Sequence, residues 1–155
     1  MAQQSFTAQI DAWVATTKDR TEAVFKESAQ RVVETMQKPV AAGGNMPVET
    51  GFLRASLRTT LNSPASGSIA NPGNPVQYDD GSVALAINGA ELGDTIYAVY
   101  TAKYARRSEY GFVGEDSLGR TYNQVGRGFV RLAAQQWPQI VDQVANEAQS
   151  RSQKP

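Results

Sequence analysis

The chain has 155 residues, 15 basic and 15 acidic side chains, and neither histidine nor cysteine. That length supports one self-standing core. The missing residue types exclude disulfides, thiolate metal sites, the commonest general base and the commonest zinc ligand. Because the charges balance and are mixed along the chain, no long-range field steers it toward nucleic acid or anionic lipid.

The N-terminal text "MAQQSFTAQIDAWV" has no basic n-region or unbroken apolar core, and no later stretch approaches the ~20 apolar residues of a membrane span. The expectation is a soluble protein made in a cytoplasm.

From Ser5 to Lys38, apolar or small residues recur at Phe6, Ile10, Trp13, Val14, Thr17, Thr21, Val24, Phe25, Ala29, Val32 and Met36. This spacing of three and four predicts one long helix. Ser5 or Thr7 can cap it, and Asp19 with Glu22 offers a second cap if it is interrupted. Pro39 and Gly43-Gly44 end it. At about 30 residues it would be ~45 Å long, more than a domain of this size covers, so part of it is expected to pack on a neighbouring subunit. Trp13, Phe25, Phe129 and Trp137 read most simply as core.

Leu53, Ala55, Leu57, Thr59 and Leu61 alternate with Arg54, Ser56, Arg58 and Thr60, the period-2 pattern of a strand. Val83, Leu85 and Ile87 repeat it, and a third strand is expected at Thr95 to Tyr100 after the Gly93-Asp94 turn. Asn62 to Ser82, rich in proline and glycine, reads as a mobile loop. Ala102 to Tyr110 reads as a short helix stopped by Gly111.

Phe112 to Gly126 reads as a second mobile loop before a last helix beginning at Phe129. Pro138 must kink that helix or stand in the first turn of a restarted one. The pattern is a single α+β domain over residues 1–155: a long N-terminal helix, a small antiparallel sheet of two to four strands, a short helix and a C-terminal helix kinked at Pro138.

Chemistry is thinly signalled. The pairs Asp79-Asp80 and Glu115-Asp116 could in principle serve as acid/base partners or hard-cation ligands, but adjacent loop carboxylates diverge and read as solvated charge. No glycine-rich loop has nucleotide-binding spacing. No cofactor, metal or catalytic residue is expected.

Arg54, Arg58, Arg106, Arg107, Arg120, Arg127 and Arg131 interleave with Tyr97, Tyr100, Tyr104, Tyr110 and Tyr122. Such a set suits a single-stranded nucleic-acid binder. It suits a protein interface equally, and zero net charge with the intervening Glu109, Glu115 and Asp116 favours the interface.

Three segments carry a further signal: "TGFLRASL" (Thr50 to Leu57), "YARRSEYG" (Tyr104 to Gly111) and "GFVRLA" (Gly128 to Ala133). In this order they resemble the phage neck proteins, the tail-completion or head-to-tail joining family of long-tailed phages similar to the lambda Z protein. There a long N-terminal helix precedes a Thr-Gly-x-Leu-Arg-x-Ser motif, matched by Thr50, Gly51, Leu53, Arg54 and Ser56. A Tyr-Ala-x-x-x-Glu-x-Gly motif follows, matched by Tyr104, Ala105, Glu109 and Gly111, and then a Phe-Leu-Arg-x-Ala step, matched in part by Phe129 and Arg131. Gly126-Arg127-Gly128 stands where the family has proline-rich text, and Ser108 where an aliphatic residue is common.

The resemblance implies a virion protein that completes the tail and joins it to a DNA-filled head, or a tail terminator or stopper. Its partners would be copies of itself in a ring, a hexamer by the symmetry of the tail tube, and other neck and tail-tube proteins. DNA would pass through without sequence-specific binding. Arg58, Arg106, Arg107, Tyr110, Arg120, Tyr122 and Arg127 are the candidate interface. Within this frame Gly51 turns the chain, Leu53 and Leu57 enter the core, and Arg54 is expected to pair with a carboxylate such as Glu109.

Overall fold

The architecture was described from a computed structural model, covering residues 5–153. It is an α+β fold. Helix α1 (Phe6–Gln37) starts where the Ser5 side chain accepts the Ala8 amide at 3.2 Å, and it runs unbroken through Asp19 and Glu22. Its 32 residues span about 48 Å. It stops at Gln37, two residues before Pro39, whose ring disfavours helical backbone in the intervening Lys38.

After a 3-10 turn at Val40–Ala42 come α2 (Phe52–Ala55), β1 (Leu57–Leu61), α3 (Asp80–Asn88), β2 (Ile96–Tyr100), α4 (Ala105–Tyr110), β3 (Gly111–Glu115), β4 (Thr121–Val125), α5 (Phe129–Gln135) and α6 (Trp137–Ser152). There are two separate antiparallel ladders. β1 pairs with β2, Leu57 opposite Tyr100 and Leu61 opposite Ile96; β3 pairs with β4, Gly111 opposite Val125 and Glu115 opposite Thr121.

Four readings of the sequence need correction. The strand expected from Leu53 begins only at Leu57, because Phe52 to Ala55 form one helical turn. Leu53 and Leu57 still both enter the core, Leu53 from the helical turn into one cluster and Leu57 from the strand into the other. Val83, Leu85 and Ile87 lie on a helix: Val83 and Ile87 are buried while Leu85 is 75% exposed. The expected loop at Phe112 to Gly126 is the β3–β4 hairpin. At the C-terminal end two helices meet at Gln136, and Pro138 sits in the first turn of α6, where its missing N–H costs nothing.

The strand expected at Thr95 to Tyr100 and the helix stopped at Gly111 stand as read. Between Asn62 and Asp79 the chain carries no helix or strand, but it is tied to the body. Ile69 bridges Ala102, and the Val76 amide donates to the Thr50 carbonyl at 2.8 Å.

The core is two joined clusters. In the first, Ala29, Val33 and Met36 of α1 meet Leu57, Val83, Ile87 and Ala133; in the second, Met46, Phe52 and Leu53 meet Ala102 and Phe129. Tyr100 and Val130 belong to both, and the Tyr100 ring stands edge-on to Phe129 at 5.2 Å. α6 lies antiparallel along the C-terminal half of α1. There Arg31 bonds both Glu27 and Glu147, and Arg151 returns to Glu27 at 2.9 Å. No described helix is long and apolar enough to cross a membrane.

Of the aromatic residues expected in the core, Phe129 is buried and Phe25 half-buried, whereas Trp13 is 66% and Trp137 38% exposed.

Candidate functional site

The three motif segments, separated by dozens of residues in sequence, meet in space. In the first, the Thr50 hydroxyl accepts the Phe52 amide at 3.4 Å, and Gly51 adopts a left-handed backbone (φ 80°) immediately before α2. A Cβ on Gly51 would stand 2.3 Å from the Val76 carbonyl oxygen, so no larger residue fits the turn. Ser56 is buried and closes α2: its hydroxyl donates to the Leu53 carbonyl at 2.7 Å, and its own carbonyl accepts both the Thr101 amide and the Thr101 hydroxyl. That joins the first motif to the chain just before the second.

Tyr104 packs its ring against Phe52 at 6.3 Å and precedes Ala105 at the start of α4. Glu109, 5% exposed, carries the link to the third motif. Its Oε2 accepts the Val130 amide at 2.9 Å and its Oε1 the Arg131 amide at 3.0 Å, so the carboxylate caps the first turn of α5. Helix N-termini favour such a charge because their first amides have no partner inside the helix. The lead-in strand is zipped on alongside: the Arg127 amide donates to the Ser108 carbonyl and the Gly128 amide to the Glu109 carbonyl. Gly111, at φ 85° and ψ 171°, lets the chain leave α4 into β3 while Gly126 passes against it.

The expected Arg54–Glu109 pair is therefore absent. Glu109 is occupied by backbone amides, with Arg131 Nε at 3.9 Å as its nearest cation. Arg54 sits over the Tyr78 ring at 5.2 Å, with its Nε buried and unpartnered. Two further buried atoms near it, Gln37 Oε1 and the Tyr100 hydroxyl, are likewise unpartnered. Burial pushes the Tyr100 phenol far above its ordinary range.

A cleft of about 740 Å³ opens between the first two motifs and the hairpin, lined among others by Glu49, Thr50, Tyr104, Arg107, Tyr122 and Arg127. A second, of about 520 Å³, lies across the Thr50-Gly51 turn beside Arg54, Tyr78 and Asp80. The candidate interface residues divide between surfaces. Arg107, Tyr122 and Arg127 share the larger cleft; Arg106, Arg107 and Tyr110 border another, of about 550 Å³. Arg58 is elsewhere, its guanidinium donating to the Ala55 and Leu57 carbonyls. Several aromatic faces are taken up inside the chain, Arg107 over Phe112 at 3.9 Å and Arg131 over Tyr110 at 5.5 Å.

The acidic pairs have structural work. Asp79 caps α3 by accepting the Gly81 amide. Asp116 clamps the hairpin turn, accepting the Leu118 and Arg120 amides, the Arg120 Nε and the Tyr122 hydroxyl. The Arg120 backbone amide, with the guanidinium and the Leu118 amide behind it, lowers the Asp116 carboxyl to about 2. Sequence reading passed over this clamp, although Asp116 with Gly119 three residues on is a recognisable turn signature.

No family model, curated protein or solved structure matches this chain.

Proposed function

We propose that the chain is a structural subunit of the phage neck, completing the tail and joining it to the DNA-filled head as one copy of a closed ring. The observation that carries this reading is the convergence of the three motif segments. The positions that carry the resemblance build one junction: Gly51 and Ser56 shape the first turn, Tyr104 packs on it, and Glu109 caps the helix opened by Phe129.

A ring subunit needs surfaces rather than a reaction centre, and copies related by rotation meet head to tail. The larger cleft, with Arg107, Tyr122 and Arg127 on its walls, offers the arginine and tyrosine contacts that dominate protein interfaces. Balanced charge suits a passage through which DNA slides, since uniformly basic walls would hold phosphates.

The test is deletion of the gene from the phage or prophage that carries it, with the lysate imaged by negative-stain microscopy. Full heads beside free tails of normal length are expected. Tails of uncontrolled length would move the protein to the terminator role, and normal infectious particles would overturn the neck reading.

A further inference from the structure

Charge is balanced over the whole chain but not along it. From Thr59 to Ala102 there are four acids, Asp79, Asp80, Glu91 and Asp94, and no base; from Lys103 to Arg131 there are six bases and three acids. Folding does not cancel these two blocks. No ion pair among the described residues involves the first, and in the second the acids Glu109 and Asp116 are occupied by backbone amides. Lys103, Arg106, Arg107 and Arg127 stay exposed, with no ion pair in the described chain.

The acidic block carries a tightly held turn between α3 and β2. The Asp94 amide donates to the Glu91 carbonyl at 3.1 Å, and Gly93 supplies the positive φ, 102°, that its third position requires. The Asp94 carboxylate accepts the Glu91 amide and the Asn62 side-chain amide, both at 2.8 Å, while the Asn62 side-chain oxygen accepts the Thr95 amide at 2.9 Å. Asn62 is the one described residue other than glycine with a positive φ, 60°. The bracing fixes a tip whose outer groups are unused: the Glu91 carboxylate is exposed and outside every ion pair described, and Leu92 is 42% exposed.

The turn and the large cleft lie at opposite ends of the β1–β2 ladder. The turn adjoins the end where Leu61 faces Ile96; the cleft, lined by Leu53 and Tyr104 among others, adjoins the end where Leu57 faces Tyr100. Five strand residues at ~3.4 Å each separate them by about 17 Å. The cleft offers Phe112, Tyr122 and Val125 as apolar surface and Arg107 and Arg127 as charge, against the single acid Glu49.

We propose that the Glu91–Asp94 turn of one copy docks in the 740 Å³ cleft of the next, with Leu92 on the apolar lining and Glu91 beside Arg127; the inference deepens the ring reading and rests on it for the copy-to-copy contact. Arg107 is already stacked on Phe112, which leaves Arg127 as the cleft cation without a ring contact. A two-fold contact through either block alone would set like charges face to face, whereas turn into cleft joins opposite ones. Such a contact is heterologous, the kind that rotation closes into a ring. A nucleic-acid backbone would satisfy the arginines but give the turn no role. A braced turn also loses little freedom on docking, which lowers the cost of binding.

The contact is small, so the test must detect weak association between free chains. Amide shifts of the isotope-labelled protein would be followed by NMR in a dilution series at low salt. Glu91 to Thr95 and Arg107, Tyr122 and Arg127 should shift together, and the effect should fade in high salt. Glu91→Arg and Arg127→Glu, each at an exposed side chain, should leave Tm unchanged and each weaken the association by at least about tenfold. Mixing the two variants should restore it to within a few-fold, because the arginine turn of one meets the glutamate cleft of the other. Absence of concentration-dependent shifts, shifts confined to other surfaces, or a mixture no better than either variant would overturn the docking. So would duplex DNA that shifts the cleft residues equally in wild type and Glu91→Arg while the wild-type chain shows no self-association. Failure here with a head-and-tail phenotype on gene deletion would leave the neck reading standing; success with normal particles would remove that reading and keep the contact.

Discussion

Glu109 reaches from the buried face of α4 to the start of α5, where its Oε2 accepts the Val130 amide at 2.9 Å. The carboxylate serves as a helix cap supplied from another element, since Gly128 at the cap position has no side chain to do it. Glu109→Gln keeps the shape but loses the charge and turns one acceptor into a donor facing an N–H. A buried amide left unpaired costs about 1–3 kcal/mol, so Tm should fall by several degrees, at about 2–4 °C per kcal/mol for a chain this long. Combining it with Arg54→Met should give additive losses in a double-mutant cycle. A coupling above about 1 kcal/mol would restore an Arg54–Glu109 interaction.

Gly51→Ala should be among the most damaging single-methyl changes. It places a Cβ at 2.3 Å from a carbonyl oxygen and holds a non-glycine residue at φ 80°. Backbone strain of this kind costs about 1–3 kcal/mol before the clash is counted. Chemical denaturation would measure it; a loss under about 1 kcal/mol would mean that the Val76 segment moves aside easily.

The Asp116 clamp should loosen in acid. Its folded carboxyl titrates at about 2, below the ordinary ~3.9. The contribution is therefore complete above about pH 4 and is lost as pH falls through 2. Hydrogen exchange at the Leu118 and Arg120 amides, compared at matched intrinsic rate, should accelerate over that window. Asp116→Asn should show the loosened turn already at neutral pH, with the global Tm little changed because the hairpin lies outside both core clusters.

The ion network between α1 and α6 should matter less than its geometry suggests. Arg31, bonded to Glu27 and Glu147, lies in a half-exposed seam, where partial desolvation offsets the attraction and salt screens it. Glu147→Gln should change Tm little, and less still in high salt. Phe129→Ala, by contrast, empties a site 2% exposed and should cost about 3–5 kcal/mol. If the two effects proved similar, the fold would depend on this charge network as much as on the packing of its core.

Long, strongly periodic stretches were legible from residues alone. The stripe of α1, a cap at Ser5 or Thr7, the β2 strand and the glycine stop at Gly111 all follow from local spacing and backbone preference, which act within one or two turns; the structure takes Ser5. The joining of the motifs was not legible in detail. Arg54 and Glu109 looked like partners because their charges match, but a carboxylate beside uncapped amides has three nearby donors to choose from, and only the bonding of the segment before α5 onto α4 decides which it meets.

Val83, Leu85 and Ile87 show the same division. Three alternating apolar residues fit a strand, yet on a helix the first and third also share a face, so local pattern is ambiguous until the neighbours are placed. Here α1 and β1 bury Val83 and Ile87 and leave Leu85 out. The hairpin was missed because its outer valines pack on nothing within the chain and its polar turn outweighs them. Sequence by itself determined where helices could start and stop and which residue types chemistry could not use, because those are properties of a few neighbouring residues. The tertiary structure alone decided which carboxylate caps which helix and which apolar faces remain in water, because burial and pairing depend on distant segments arriving at one place.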